Sequence, residues 1–371
     1  MASKILFILH IPPPINGAAL VGKYIQDSEI INTRFETKYV NLTASFSLEK
    51  IGKGGIGKFK HIFSIIRNVF RKLKNSKYDL CYMTLTAKGP GFYKDFLIIL
   101  LVKLFKVNIV YHFHNKGVAL SSKKWYNAIL YKYAFNNTKC ILLAPSLYKD
   151  IERYVSAENV YFCPNGIPEY STFNTFKELE KIETLEPCKF LFLSNMLRQK
   201  GVLELLKACY ILHKQRLKFE CHFIGAWADI QEEEFNSAIE KYKLQHVVTF
   251  HGKQYGQDKV SFFEKSDVFV FPTFYHNECF PLVLLEAMQF GLPIITTDEG
   301  AIGEIVQNNK TGIIVKQQDV DSLAEAMLKM LKEPDIRKEY GARGKKRFEE
   351  NFTLSMFEKK MEAILIKALN K

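Results

Sequence analysis

Two glutamates eight residues apart, Glu278 and Glu286, bracket the segment Glu278-Cys279-Phe280-Pro281-Leu282-Val283-Leu284-Leu285-Glu286. Pro281 is expected in the first turn of a helix, where its missing N–H costs nothing, so the pair spans a loop-to-helix junction. The first amides of a helix have no internal acceptor and carry the positive end of its dipole, which suits them to hydroxyl or phosphate oxygens. Glu286, on the second turn of an otherwise apolar helix, would be costly to bury without hydroxyl partners. Downstream, Gly291-Leu292-Pro293 ends the helix and opens a strand.

Other motifs carry less. Gly52-Lys53-Gly54-Gly55-Ile56-Gly57-Lys58 fits G-x-x-x-x-G-K, but Phe59 stands where Ser or Thr would coordinate magnesium, and no buried strand precedes it. A basic loop is the better reading. Asp319-Val320-Asp321 spells a D-x-D, yet it falls where a helix begins at Ser322-Leu323-Ala324-Glu325, the place for an N-cap aspartate. His112 and His114 share one face of a strand but lack a third ligand, so no metal site is expected.

The elements that position these residues are legible as alternation. Apolar runs at Lys4–His10, Asp79–Thr84, Val107–Phe113, Cys140–Ala144 and Asn159–Cys163 are separated by helical lengths, the pattern of a parallel sheet wrapped by helices. From Glu169 the chain turns polar and acidic, which reads as a linker over 171–187. The alternation then resumes: Lys189–Ser194, a helix from Val202, Glu220–Ile224, a helix near Glu232–Tyr242, Val247–Phe250, Asp267–Phe271, Pro293–Thr296 and Gly312–Val315. Helices over Asp321–Leu331, Pro334–Asn351 and Thr353–Leu369 follow. The expectation is α/β: two tandem Rossmann-like domains facing each other across a cleft, residues 1–170 and 188–352, closed by a helix at 353–371. Ligands of such sheets bind at the carboxyl ends of the strands.

With 371 residues, 47% hydrophobic and 25% charged, the chain has the balance of a globular protein and excludes disorder or collagen. Seven scattered cysteines without a C-x-x-C pair point to a reducing cytoplasm and no structural metal. Met1–Ile11 lacks the plan of a signal peptide, and the apolar stretch Phe96–Phe105 is broken by Lys103 and too short to span a bilayer. The net charge is +13, and its placement is uneven: residues 1–175 hold 24 Lys and Arg against 10 Asp and Glu, the remainder 28 against 29. The first domain should therefore attract something anionic. In Phe59–Lys74 an apolar stripe of Phe63, Ile66, Val69, Phe70 and Leu73, interleaved with Lys60, Arg67, Arg71, Lys72 and Lys74, is expected to be mostly core. Its basic face is a candidate for peripheral binding to anionic membrane.

The E-x7-E pair in FPTFYHNECFPLVLLEAMQFGLPIITTD resembles the defining motif of retaining glycosyltransferases of family four, which have the GT-B double-Rossmann fold. The likeness extends over Pro12-Pro13-Pro14-Ile15-Asn16-Gly17, His114, Pro164-Asn165-Gly166, Lys200-Gly201 and a closing helix that in the family crosses back to the first domain. It implies a nucleotide-diphosphate sugar as donor and a saccharide or lipid-linked acceptor, in bacterial cell-surface polysaccharide synthesis. Glu286 would hold the ribose hydroxyls. Glu278 would bind a hydroxyl of the transferred sugar, together with the backbone of Cys279, Phe280, Pro281 and Leu282, in which every residue but Pro281 carries an N–H, as that segment stands in the family. Lys200 and a second cation would bind the diphosphate, with no cofactor or metal, and the Gly17 loop would approach the donor phosphates or the acceptor. His114 would lie near the sugar and acceptor. Many members carry Arg five residues before the Lys; here Asn195 fills that place, and Arg198 is the candidate replacement.

Two rivals stand beside this reading. A GT-B nucleotide-sugar epimerase would need no acceptor, but the motif order and the basic first domain disfavour it. A basic nucleic-acid-binding protein would leave Glu278 and Glu286 idle, and the lysines are not interleaved with the aromatics that such binding uses, so no nucleic acid partner is expected.

Overall fold

The computed structural model describes residues 2–43, 56–170 and 187–370, and of residues 56–59 the backbone alone. All but the last residue of the expected linker over 171–187, and most of the Gly52–Lys58 motif, lie outside the described residues. The chain divides into two compact units, residues 1–166 with 354–371, and residues 167–353.

The first unit is a six-stranded parallel sheet of β1 (Lys4–Leu9), β2 (Glu36–Asn41), β3 (Leu80–Thr84), β4 (Asn108–His112), β5 (Thr138–Leu142) and β6 (Val160–Phe162), in the order β2-β1-β3-β4-β5-β6. Strands β1 and β3 are buried along almost their whole length because helices cover both faces. β2 was not among the expected strands. Its sequence ETKYVN buries only Val40 fully, since it lies at the sheet edge. The helix Gly17–Asp27 starts from Asn16, whose side chain accepts the Ala19 amide at 3.0 Å. Gly22 lets this helix close onto the end of β1: a Cβ there would stand 2.0 Å from the His10 carbonyl oxygen. The closing helix, Leu354–Leu369, packs in this unit, where Lys139 Nζ donates to the Asn370 carbonyl at 2.7 Å.

In the helix Ile56–Asn75 the expected core stripe is only partly core. Ile65, Val69 and Leu73 are buried, whereas Phe63 is 68% exposed and Phe70 also faces outward. The helix turns its 65/69/73 face to the sheet, which puts 63 and 70 on the far side.

The second unit repeats the architecture with β7 (Cys188–Leu193), β8 (Phe219–Ile224), β9 (Val248–Phe250), β10 (Val268–Phe271), β11 (Ile294–Thr297) and β12 (Gly312–Val315), ordered β12-β11-β10-β7-β8-β9. The chain runs outward from β7 through β8 to β9, then returns to place β10 on the other side of β7. The order therefore reverses between β7 and β10, the position in such sheets where loops diverge and leave a crevice.

Candidate active site

The loops leaving β7 and β10 carry the two halves of the site. After β7, the chain runs through Asn195 and Met196 into a 3-10 turn, Arg198–Lys200, and ends that turn at Gly201 in the left-handed region (φ 83°). Gly201 is dictated by space as well as by φ, because a Cβ would stand 2.3 Å from the Pro272 carbonyl oxygen in the loop after β10. That second loop is tied to the first by backbone: the Phe274 amide donates to the Gln199 carbonyl at 2.8 Å, and the Thr273 hydroxyl reaches the same oxygen at 3.3 Å.

The two loops bring Lys200 and Glu278 together. The Lys200 ammonium is hydrogen-bonded and ion-paired to Glu278 Oε2, with both side chains largely buried. Lys200 Nζ also sits 5.0 Å from the centre of the Phe271 ring and 4.8 Å from that of Tyr275, a cation held partly by aromatic faces. Glu278 is fixed from behind: Gly300 (φ 63°) has no room for a Cβ beside the Glu278 carbonyl, and the Ala301 amide donates to Cys279 O at 2.8 Å.

The helix that follows is Leu282–Gln289, with Pro281 at its N-cap rather than in the first turn. Pro281 holds extended ψ (118°) there, so the turn begins one residue later than the sequence suggests. Cys279 and Phe280 bury their side chains, Phe280 edge-on to Phe352 at 5.9 Å. This leaves backbone, not side chain, to line the approach to the helix start. On the next turn Glu286 Oε1 lies 2.7 Å from Lys259 Nζ, contributed by the helix Gly256–Lys265. Burial alone would lower the Lys259 pKa; the charge and hydrogen bond of Glu286, aided by Tyr170, outweigh it and hold the ammonium above its ordinary value. The site thus contains two carboxylate–ammonium pairs beside a helix N-terminus.

Residues 175–347 match the family model for glycosyl transferases group 1. Over that segment the chain is similar to the group 1 glycosyltransferases. Among curated relatives, the capsular polysaccharide biosynthesis glycosyltransferase CapM of Staphylococcus aureus is 28% identical over 174 residues. That alignment covers 47% of this chain and 44% of CapM, so the match spans less than half of the relative's own length. Among solved structures, a glycosyltransferase of Rickettsia africae is 18% identical with a TM-score of 0.75, over 100% of this chain and 99% of that one. Anabaena HepE in complex with UDP-glucose is 15% identical with a TM-score of 0.70, over 98% and 99%. The two six-stranded parallel sheets, each wrapped by helices, are those of the GT-B fold.

Within the matched segment, Lys200 and Glu278 are in direct contact, and Glu286 lies on the helix Leu282–Gln289 that follows Cys279 and Phe280. Arg198 does not join them: its guanidinium grips Glu234 through both carboxylate oxygens, at 2.7 and 2.9 Å, on the exposed side of the turn. Asn195 is exposed, its carbonyl accepting the Leu197 amide at 2.7 Å. A second cation, Lys259, does stand beside the other motif glutamate, Glu286, and sequence reasoning missed it. Gly256–Lys265 offers no motif, and only the fold brings position 259 to position 286. The Asp319 carboxylate accepts the Ser322 amide at 3.0 Å, capping the helix Val320–Lys332 as expected. Among the described residues no group of three or more His, Cys, Asp or Glu is arranged to hold a metal.

In the first unit, Gly17 opens its helix at the point where that sheet also reverses, between β1 and β3. His114 follows β4, its ring centre 4.1 Å from that of His112. Tyr82 hydrogen-bonds His112 Nδ1, while His112 Nε2 and His114 Nδ1 are buried without a hydrogen-bond partner. Desolvation, with His10 adding, pushes the His114 pKa down to about 3; desolvation and Lys94 do the same to His10. These imidazoles are neutral near pH 7, so His114 offers a hydrogen-bonding nitrogen and not a charge.

Proposed function

We propose that the chain transfers a sugar, with retention of anomeric configuration, from a nucleoside-diphosphate donor to a saccharide or lipid-linked acceptor in bacterial surface polysaccharide synthesis. The reading rests on one observation: two largely but not fully buried Lys–Glu pairs, Lys200–Glu278 and Lys259–Glu286, flank the helix start where β7 and β10 diverge. The group 1 match, the capsular role in the name of CapM and the UDP-glucose bound to HepE support it. Scattered cysteines, all buried, suit a cytoplasmic site of action.

In this reading Glu286 accepts the ribose hydroxyls and Glu278 a hydroxyl of the transferred sugar. The acceptor oxygen attacks the anomeric carbon on the face that the phosphate leaves. The glycosyl–phosphate bond breaks with its electron pair going to the phosphate oxygen, and that oxygen takes the acceptor's proton. Negative charge therefore grows on the diphosphate. Lys200, Lys259 and the first amides of Leu282–Gln289 stabilise it more in the transition state than in the ground state. Two ammonium groups provide the charge that other transferases draw from a divalent metal, so the reaction is assigned no metal and no cofactor.

A panel of uridine, guanosine, cytidine and thymidine diphosphate sugars tests the reading by thermal shift. A true donor raises the melting temperature progressively with concentration, and the anomeric configuration of the product, read by NMR, decides retention. No stabilisation by any of them would reject it, and conversion of a donor without an acceptor would identify an epimerase instead.

A further inference from the structure

One face of the first sheet carries the helices Ile56–Asn75, Gly89–Leu104 and Trp125–Phe135, and that face holds most of the exposed apolar surface. Of fourteen large hydrophobic side chains exposed among the described residues, eleven lie between Phe63 and Tyr133. On Gly89–Leu104 the outward positions are Tyr93, Leu97, Leu100 and Leu104, spaced four, three and four, so they form one stripe along the helix. A solvated helix carries polar residues there, yet Leu104 is 73% exposed. The opposite stripe, with Phe92, Ile99 and Val102, is the one that enters the core. The neighbouring helix adds Trp125, 74% exposed, and Ile129.

The helices lie side by side. Phe96 meets Tyr133 edge-on at 5.8 Å, and the Tyr93 hydroxyl donates to Asn127 Oδ1 at 2.9 Å. Both lysines of Gly89–Leu104 are drawn off its outer stripe: Lys103 Nζ donates to the Tyr133 and Asn136 carbonyls at 2.8 and 2.6 Å, and Lys94 Nζ to the Leu42 carbonyl at 2.9 Å. The ridge is left uncharged, and its surroundings are not. Residues 60–133 contain fourteen Lys and Arg against two Asp, and one of those, Asp95, is fully buried.

An apolar ridge set among cations matches the two layers of a lipid interface, acyl chain and anionic headgroup. A second copy of the chain would bring a second basic rim against the first, so like charges oppose that occupant. We propose that this face seats the first unit on an anionic bilayer, with Leu97, Leu100, Leu104, Trp125 and Ile129 entering the acyl boundary and the basic rim meeting lipid phosphates. The proposal goes beyond sugar transfer and does not depend on it.

Cosedimentation of the full chain with vesicles tests it, comparing phosphatidylcholine alone with phosphatidylcholine mixed with phosphatidylglycerol. Binding is expected only to the mixed vesicles and should fall at least about tenfold when salt is raised toward ~0.5 M. Brominated acyl chains should quench tryptophan emission in the wild type, and Trp125→Phe should abolish that quenching, leaving Trp227 alone. Leu97→Glu combined with Leu104→Glu should lower vesicle binding at least about tenfold; both positions face outward, and an unchanged melting curve confirms the fold. Equal binding to neutral vesicles, no binding to either, or binding without quenching overturns the proposal. So does a lipid-free dimer that the Leu97→Glu, Leu104→Glu variant dissociates.

Discussion

Lys259 Nζ lies 2.7 Å from Glu286 Oε1, a bond between two helices that joins the second motif glutamate to a cation no motif announces. Glu286→Ala is expected to weaken donor binding by roughly 1.5–3 kcal/mol for each charge-assisted hydrogen bond lost, read by calorimetric titration with the stabilising nucleotide sugar. Lys259→Met should weaken it as well, and the two changes should be non-additive by about 0.5–3 kcal/mol in a double-mutant cycle. Unchanged donor affinity in Glu286→Ala would remove the ribose role.

Lys200→Ala should lower kcat more than it raises KM, because the ammonium counts most as the diphosphate departs. A rise in KM with kcat preserved would make Lys200 a ground-state binder only.

Transfer should persist in excess chelator. Loss of activity on chelation, restored by magnesium, would mean that a metal and not the two lysines neutralises the leaving group, and would reopen the question of Asp319 and Asp321.

Gly201→Ala forces a Cβ into the left-handed region and against the Pro272 carbonyl. Strain of about 1–3 kcal/mol should show as a lower melting temperature. Because Lys200 precedes the strained residue, kcat should fall in the same variant. A stable and fully active Gly201→Ala would show that the turn is not what sets Lys200.

The imidazoles near the end of β1 and β4 make the first unit acid-sensitive. Burial depresses His10 and His114 to about 3 and lowers His112 also. With folded values below the unfolded ~6.5, unfolding takes up protons: their contribution is fully present above about pH 6.5 and is lost as pH falls toward 3. Denaturant midpoints should begin to drop below about pH 6.5, and His114→Asn should shallow that slope. A flat profile down to pH 4 would contradict the burial of these rings.

Much of this was readable from sequence for a reason that differs by element. Runs such as Lys4–Leu9 and Val268–Phe271 are buried on both faces, so their composition alone marks them. Edge strand β2 has one fully buried residue and gives no such signal. Glu278 and Glu286 stood out by their eight-residue spacing across a loop-to-helix junction, whereas Lys200 entered only through the family resemblance. Lys259 was not legible, since its partner is 27 residues away on another helix, and Arg198 could not be assigned because Glu234 reaches it only across the fold. In Ile56–Asn75 the spacing was read correctly but the facing of Phe63 and Phe70 was not, because a helix with apolar residues on two sides does not announce which side is inside.

The tie between the loops after β7 and β10 runs through the backbone of Gln199 and Phe274, with Gly201 close against the Pro272 carbonyl, and Gly300, after β11, is close against the Glu278 carbonyl. Mutational tolerance around the site should therefore be inverted from ordinary expectation. The side chains at 199 and 274 can drift without moving the Lys200–Glu278 pair, whereas any side chain added at the two glycines strains it.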